Sequence, residues 1–319
     1  MNIAMPGREH LRTAIALAVR APSAHNTQPW RWRIDDGSVH LFADWARHVP
    51  AGDPGGRDLL ISCGAALHHF RVAAAALGWA TAVHRLPDPA APEHLAALEF
   101  RPHQPSDRDI AAAAAIRRRH TDRRRMSSLP VPPDHLRLIA ARARAHGALA
   151  VPVVDPAARF ALAGAIAQAA VIQANAFPRG TLTAPPGKRY GQQTELVVVA
   201  TAGDDVLSRL RAGEATSAAL LAATELGLAT CPLSEPLEIA GSRGHLRDRV
   251  LGGAAEPQLV IRLGWAPTTA ARLPATPRRT VDEVIRADAG GSKVPACSGP
   301  RVSRSRPFSS GRDRRRRED

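Results

Sequence analysis

The chain is short of aromatic rings, cysteine and acid. Its 319 residues include one Tyr, six Phe, five Trp and three Cys, and 29 Asp/Glu stand against 43 Lys/Arg. So few rings leave little for the base stacking on which single-stranded nucleic-acid readers depend. Cys63, Cys231 and Cys297 are scattered, with no Cys-x-x-Cys pair and no zinc spacing. A reducing cytoplasm fits that usage. No run of about 18 apolar residues occurs, so neither a transmembrane helix nor a membrane partner is expected. The opening "MNIAMPGREHL" lacks the apolar stretch of a signal peptide.

What the chain does have is apolar mass: 45% of residues, enough for a core in two modest domains or one large one. The excess of base gives a net charge of +14. Residues 288–319 hold nine Lys/Arg and four Asp/Glu in a Gly-, Ser-, Pro- and Arg-rich stretch, which reads as a disordered basic tail. The charge left on the body comes without a helix-turn-helix or zinc signature, so no specific nucleic-acid partner is expected.

The body reads as two similar halves, residues 1–116 and 117–287. In the first, "REHLRTAIALAVRA" has apolar residues at helical spacing, "RWRIDDGSVHLFAD" is a hairpin turning at Asp36-Gly37, "GRDLLISCGAALHHFRVAAAALGWA" is a long helix capped near Gly78, and "HLAALEFRP" is a strand. The second half repeats the order with helix "PDHLRLIAARARAHG", strand "LAVPVVD", helix "DPAARFALAGAIAQAAVIQANA", strand "TELVVVAT", helix "RAGEATSAALLAATELGLATC" and strand "PQLVIRLGWAP". At one constant offset Gly64 aligns with Gly213, Ala73 with Ala222, Leu77 with Leu226, Gly78 with Gly227 and Thr81 with Thr230. A repeat this long is no solenoid. It points to a duplicated domain, a homodimer fused into one chain.

Four stretches carry chemistry. "RAPSAHNTQPWRW", residues 20–32, gathers Ser23, Asn26 and Gln28 between two prolines and closes on Trp30 and Trp32. Such a loop suits the polar edge of a planar heterocycle, though it is also how a turn satisfies its own backbone. "RRRHTDRRR", residues 117–125, alternates Arg119, Thr121 and Arg123, which face one side if the segment is extended. Two guanidiniums around a hydroxyl suit a phosphate; a solvated basic run is the other reading. "GLATCPLSEP", residues 227–236, follows the long second-half helix, and "TPRRTVDEVI", residues 276–285, offers Arg278 and Arg279. His25 reads as a spacer within its loop. His68 and His69 have no second ligand one turn away and read as packing or surface residues.

Together these stretches resemble the nitroreductase superfamily of FMN-dependent oxidoreductases, and most closely its Acg type, in which two nitroreductase-like halves are fused. "APSAHNTQPWRW" resembles the family's Pro-Ser-x-x-Asn-x-Gln-Pro-Trp motif, "RHTDR" its Arg-x-Ser/Thr-x-Arg/Lys phosphate motif, and "LGLATCPLSE" its Gly-Leu loop along the isoalloxazine. The likeness spans roughly residues 8–286. It implies an α+β fold of two tandem halves forming a pseudo-dimer. It also implies FMN between them, held by Pro22, Ser23, Ala24 and Asn26 of the first half and by Arg119, Thr121, Arg123, Pro232, Leu233, Ser234 and Arg278 or Arg279 of the second. The reciprocal site looks incomplete: "RAHGALAVPV" stands where a second Pro-Ser-x-x-Asn loop belongs, and no Arg-x-Thr-x-Arg opens the first half. One FMN per chain is therefore expected, in a monomer. The implied chemistry takes hydride from NAD(P)H to a nitroaromatic- or quinone-like small molecule, and a non-catalytic flavin-holding protein of the same fold is the alternative. No catalytic side chain is singled out, because a flavin does the chemistry itself. Relatives of the Acg type carry a longer segment where only about twenty residues join Gln173 to Thr194, which implies a thinner cover over the flavin.

Overall fold

Leu11, Ile15 and Ala18 share one face of helix α1 (Arg8–Ala18) and are buried there. The hairpin follows as strands β1 (Trp30–Asp35) and β2 (Ser38–Ala43), with Gly37 at φ +96° in the two-residue turn. In this computed structural model the described residues are 5–176, 194–238, 241–267, 271 and 273–285. The first half continues with α2 (Arg57–Ala76), β3 (Trp79–Arg85), β4 (His94–Pro102) and α3 (Asp107–Arg118). The second comprises α4 (Pro133–Arg144), β5 (Leu149–Pro152), α5 (Pro156–Ala176), β6 (Glu195–Thr201), α6 (Val206–Glu225), β7 (Ala229–Leu233), α7 (Ser242–Leu251), β8 (Glu256–Gly264) and the short α8 (Val281–Val284).

Each half builds one antiparallel sheet, and the strand orders match: β1-β2-β4-β3 and β5-β6-β8-β7. The first sheet draws only on residues before 116 and the second only on residues after 117. The expected boundary itself falls in the last turn of α3, and the short segment and the tail lie outside the described residues. β6 reads as an unbroken β-branched run because both its faces are covered. Val197 and Val199 pack with Ala215, Ala219 and Leu220 of α6, whereas Val198 and Ala200 pack with Leu162 and Ile166 of α5. In the first sheet Trp30 and Trp32 are fully buried, and Trp32 stacks on Phe70 of α2 at 5.0 Å.

Four elements depart from the sequence reading. β3 and β7 follow their helices at once, where Gly78 and Gly227 take φ +90° and +78° and turn the chain out of the helix. Their mixed polar content hides the strand period, so both run on as helix end or loop in the sequence. The helices α3 and α7, unforeseen there, have Ala- and Arg-rich surfaces with few residues to bury.

The halves meet along α2 and α6, and Gly64 and Gly213 sit at the crossing. A Cβ on Gly64 would collide with the Leu210 carbonyl oxygen, and one on Gly213 with that of Ile61 and, at 2.8 Å, with the Gly64 Cα. Of the described helices α2 alone has the length and hydropathy of a membrane span, and it is this buried core helix. Two exchanges reinforce the contact: Thr121 bridges Thr230 of β7, and Ile285 returns to bridge Trp32 of β1. Because backbone atoms oppose both glycines, neither side can yield. Gly64→Ala is expected to lower the unfolding free energy by about 3 kcal/mol, the upper end for overpacking, read from urea midpoints.

Candidate functional site

The loop between α1 and β1 is strained. His25, Asn26 and Gln28 all take positive φ, at 50°, 57° and 50°, a region that side chains other than glycine occupy at a cost of about 1–3 kcal/mol each. Its own atoms hold part of this geometry: the Gln28 N–H donates to Ser23 Oγ (3.0 Å), and Thr27 Oγ1 to the Ala24 carbonyl (2.9 Å). The rest comes from the far end of the chain. Arg278 donates to Asn26 Oδ1 (2.9 Å), Asn26 Nδ2 to the Pro277 carbonyl (3.1 Å), and the Arg279 N–H to Gln28 Oε1 (2.7 Å). The Arg279 guanidinium reaches the Gln28 and Trp30 carbonyls and lies 3.8 Å from Asp44. Arg279 thus clamps the loop, while Arg278 keeps a buried Nε without a partner.

Three arginines converge beside this clamp. Arg119, 5% exposed, donates to the Arg20 carbonyl (3.3 Å) and leaves Nε and Nη1 buried and unpartnered. Arg20 donates to the Arg117 carbonyl (3.3 Å) and has its own buried, unpartnered Nε. Among the described residues none of Arg20, Arg119 and Arg278 forms an ion pair. Burial, reinforced by Arg278 and Arg20, pushes the Arg119 pKa down to about 9; burial and Arg20 push that of Arg278 to about 10. Both stay charged at neutral pH. An open groove of about 570 Å³, lined by Thr13, Ala16, Leu17, Arg20 and Arg117, lies against the Arg20 side of this group. His69 is fully buried nearby, and burial followed by the Arg119 charge hold its pKa well below the usual imidazole value. One buried and two half-buried cations without acids, with donors left over, are what a bound anion would complete.

The remaining predicted residues take different positions. Thr121 sits at the bridge to Thr230, and Arg123, which the alternation placed beside Arg119, is exposed. Pro232 and Leu233 end strand β7 rather than lying in a loop, and Ser234 follows. Ser234 Oγ donates to Asp58 Oδ2 at 2.5 Å, tying this loop to the first turn of α2. Ser62, one turn on, donates to the Asp58 carbonyl and accepts from the Ala24 N–H. Asp58 and Ser62 therefore back both loops. Asp58 passes in the sequence for an ordinary acid at a helix start, so no signal marks it. Arg20 could have been found, since it lies two residues before Pro22 of the Pro-Ser motif. Among the described residues no His, Cys, Asp or Glu cluster suits a metal.

No family model matches the chain. Relatives do: it is 41% identical to "Putative NAD(P)H nitroreductase Rv3131" of Mycobacterium tuberculosis, over 89% of this chain and 93% of that one. The chain belongs to the nitroreductase family. It is also 35% identical to the M. tuberculosis "Putative NAD(P)H nitroreductase acg", over 86% of this chain and 95% of the relative. A solved structure of a nitroreductase-like protein from Anabaena variabilis has the same fold, with a TM-score of 0.58 at 9% identity, over 83% of this chain and 90% of that one.

The duplicated nitroreductase fold creates a second position equivalent to this site, and the chain fills it differently. At the repeat offset Ser234 corresponds to Arg85 and Ala65 to Glu214. Where the first position has two small side chains, the second has an ion pair. Glu214, fully buried, receives Arg85 on both oxygens (2.7 and 2.8 Å) and Arg71 at 3.1 Å. His146, in the loop that replaces the Pro-Ser-x-x-Asn stretch, lies 3.9 Å from Glu214 and edge-on to His68, which bonds Ser217 Oγ.

Of the two readings of His68 and His69 from sequence, packing or surface, the structure has both buried, and His68 serves this polar network. Burial pushes His146 down to about 4 and His68 well below its usual value. The unfolded chain therefore binds protons that folded His68, His69 and His146 refuse. Stability is expected to fall as the pH drops from 6.5 towards 4, by up to about 1.4 kcal/mol per pH unit for each group, visible in urea midpoints. Asp58, whose folded pKa is raised, offsets one group over the same range. Separately, Glu214→Gln leaves two arginines facing a neutral amide. It is expected to cost about 3 kcal/mol, the lower end for a broken buried pair because both arginines keep some solvent.

Proposed function

We propose that the protein is an FMN-dependent oxidoreductase of the nitroreductase type, drawing on NAD(P)H to reduce a nitroaromatic- or quinone-like small molecule. The observation that carries this reading is the group of Arg20, Arg119 and Arg278: Arg119 buried and the other two half-buried, mutually repelling, without acids and each with an unpartnered buried donor. That donor set suits a phosphate monoester dianion. It lies against the loop of Pro22, Ser23, Ala24 and Asn26, whose sequence resembles the family's flavin motif. FMN, when bound, supplies the hydride acceptor and donor chemistry.

The chain's own residues would then work as follows. Arg119, Arg278 and Arg20 hold the phosphate, with Thr121 and Arg123 at the more exposed end of the same segment. The strained loop, kept in shape by Ser23, Gln28 and Arg279, presents a fixed edge to the ring. Pro232, Leu233 and Ser234 face it from the other half. A single chain supplies both sides, so a monomer suffices, and the Glu214 network leaves room for one cofactor rather than two.

The test has two arms. Purified, FMN-reconstituted protein is expected to hold one FMN per chain and to bleach on mixing with NADPH. A flavin that stays oxidised through many seconds of excess NADPH assigns the chain to flavin holding instead. Arg119→Met is expected to weaken FMN binding tenfold to a hundredfold, the value of about 1.5–3 kcal/mol for a charged hydrogen bond, and yet to raise the melting temperature of the apoprotein by relieving repulsion. Lower apoprotein stability with unchanged FMN affinity would remove Arg119 from the phosphate site.

A further inference from the structure

Asp58 is a carboxyl with too few partners for a structural role. It is 5% exposed; Oδ2 accepts from Ser234 Oγ at 2.5 Å, and Oδ1 is buried with no partner. Its neighbouring cation, Arg57, is engaged by Glu238. From the other elements around it, Asp53 before α2 and Glu235 after β7 add negative potential rather than relieve it. A buried acid that only stabilised the fold would be paired. Burial carries the Asp58 pKa up to about 7, against the opposing pull of Ser234 and Arg57.

Its position is equally specific. Asp58 touches Ser234 of the second half and, through Ser62, the Ala24 backbone of the first. These are the two loops assigned above to the flavin ring, so this inference rests on that reading. The hydroxyl of Ser234 can donate to an ionised Asp58 or accept from a protonated one. The charge on Asp58 therefore sets which way a hydroxyl in the cofactor loop points.

We infer that Asp58 is the proton-holding positioning residue of this site, taking up one proton from solvent when the cofactor is reduced. NAD(P)H delivers a hydride, which is two electrons and one proton, and leaves the cofactor one negative charge richer. The Asp58 carboxylate, within the same dry region, then binds one further proton, so that two electrons enter together with two protons. Ser234 turns its hydroxyl from donor to acceptor as this happens.

The experiment is a spectroelectrochemical titration of the FMN-loaded protein between pH 7.5 and 9, wild type against Asp58→Asn and Ser234→Ala. Wild type is expected to take up two protons per two electrons and Asp58→Asn one. Ser234→Ala, which removes a hydrogen bond to the ionised form, raises the Asp58 pKa of the oxidised protein as well, so its uptake is expected to reach two protons only towards the upper end of that range. Equal proton counts in wild type and Asp58→Asn overturn the inference while leaving the flavin reading intact. The apoprotein supplies an independent arm. A carboxyl pKa raised from 3.8 to about 7 makes wild-type stability fall as the pH rises between those values, and Asp58→Asn lacks that component. If the component is absent from wild type, Asp58 is not poised and the inference fails. If it is present in a protein that takes up no FMN, the proposed function fails and the coupling with it.

Discussion

The two halves of the molecule are arranged around the contact of α2 with α6. Two helices can approach closely enough for backbone to meet backbone only where both lack a Cβ, and Gly64 and Gly213 provide that on the two sides of one crossing. The approach fixes how the halves lie against each other. It thereby fixes which loops become neighbours: the α1–β1 loop of one half and the end of β7 of the other. The Asp58–Ser234 hydrogen bond and the Arg57–Glu238 pair span the same interface beside the site.

Repulsion and strain concentrate on one side of this frame. Three positive-φ residues in the Pro-Ser-x-x-Asn loop, three unpaired arginines and one unpaired carboxyl lie close together, and each lowers the stability of the empty protein. Chains tolerate such features when the surroundings over-determine them, as the returning Pro277-Arg278-Arg279 segment does for the loop. The other side of the duplication is the reverse: Glu214 pairs with both Arg71 and Arg85. Duplication supplied two equivalent positions, and the side chains divide them into one that keeps arginines without acids and one that is braced by an ion pair.

Much of the fold could be read directly from residues. The Asp36-Gly37 turn, the period of α1 and the β-branched run of β6 each reflect local physics that tertiary contacts do not override. The constant offset linking Gly64 to Gly213 announced the duplication, and the Pro-Ser-x-x-Asn and Arg-x-Thr-x-Arg stretches pointed to the site's two halves. What escaped was whatever depended on neighbours remote in sequence. β3 and β7 lack a clear alternation because they are edge strands that follow a helix without a loop. Alternation put Arg119 and Arg123 on one side, but the chain carries Arg119 inward and leaves Arg123 in solvent.

Sequence alone therefore determined most of the elements, the repeat and the family likeness, since periodicity, turn residues and motif spacing are local properties of the chain. Only the tertiary structure decided that Arg20 joins Arg119 and Arg278, that Arg279 clamps a loop some 250 residues away, and that Asp58 sits behind both the 23–26 loop and Ser234. The reason is physical: charge repulsion, an orphaned donor and a raised carboxyl pKa are properties of distance and burial, and none of the three exists until α2 and α6 have met.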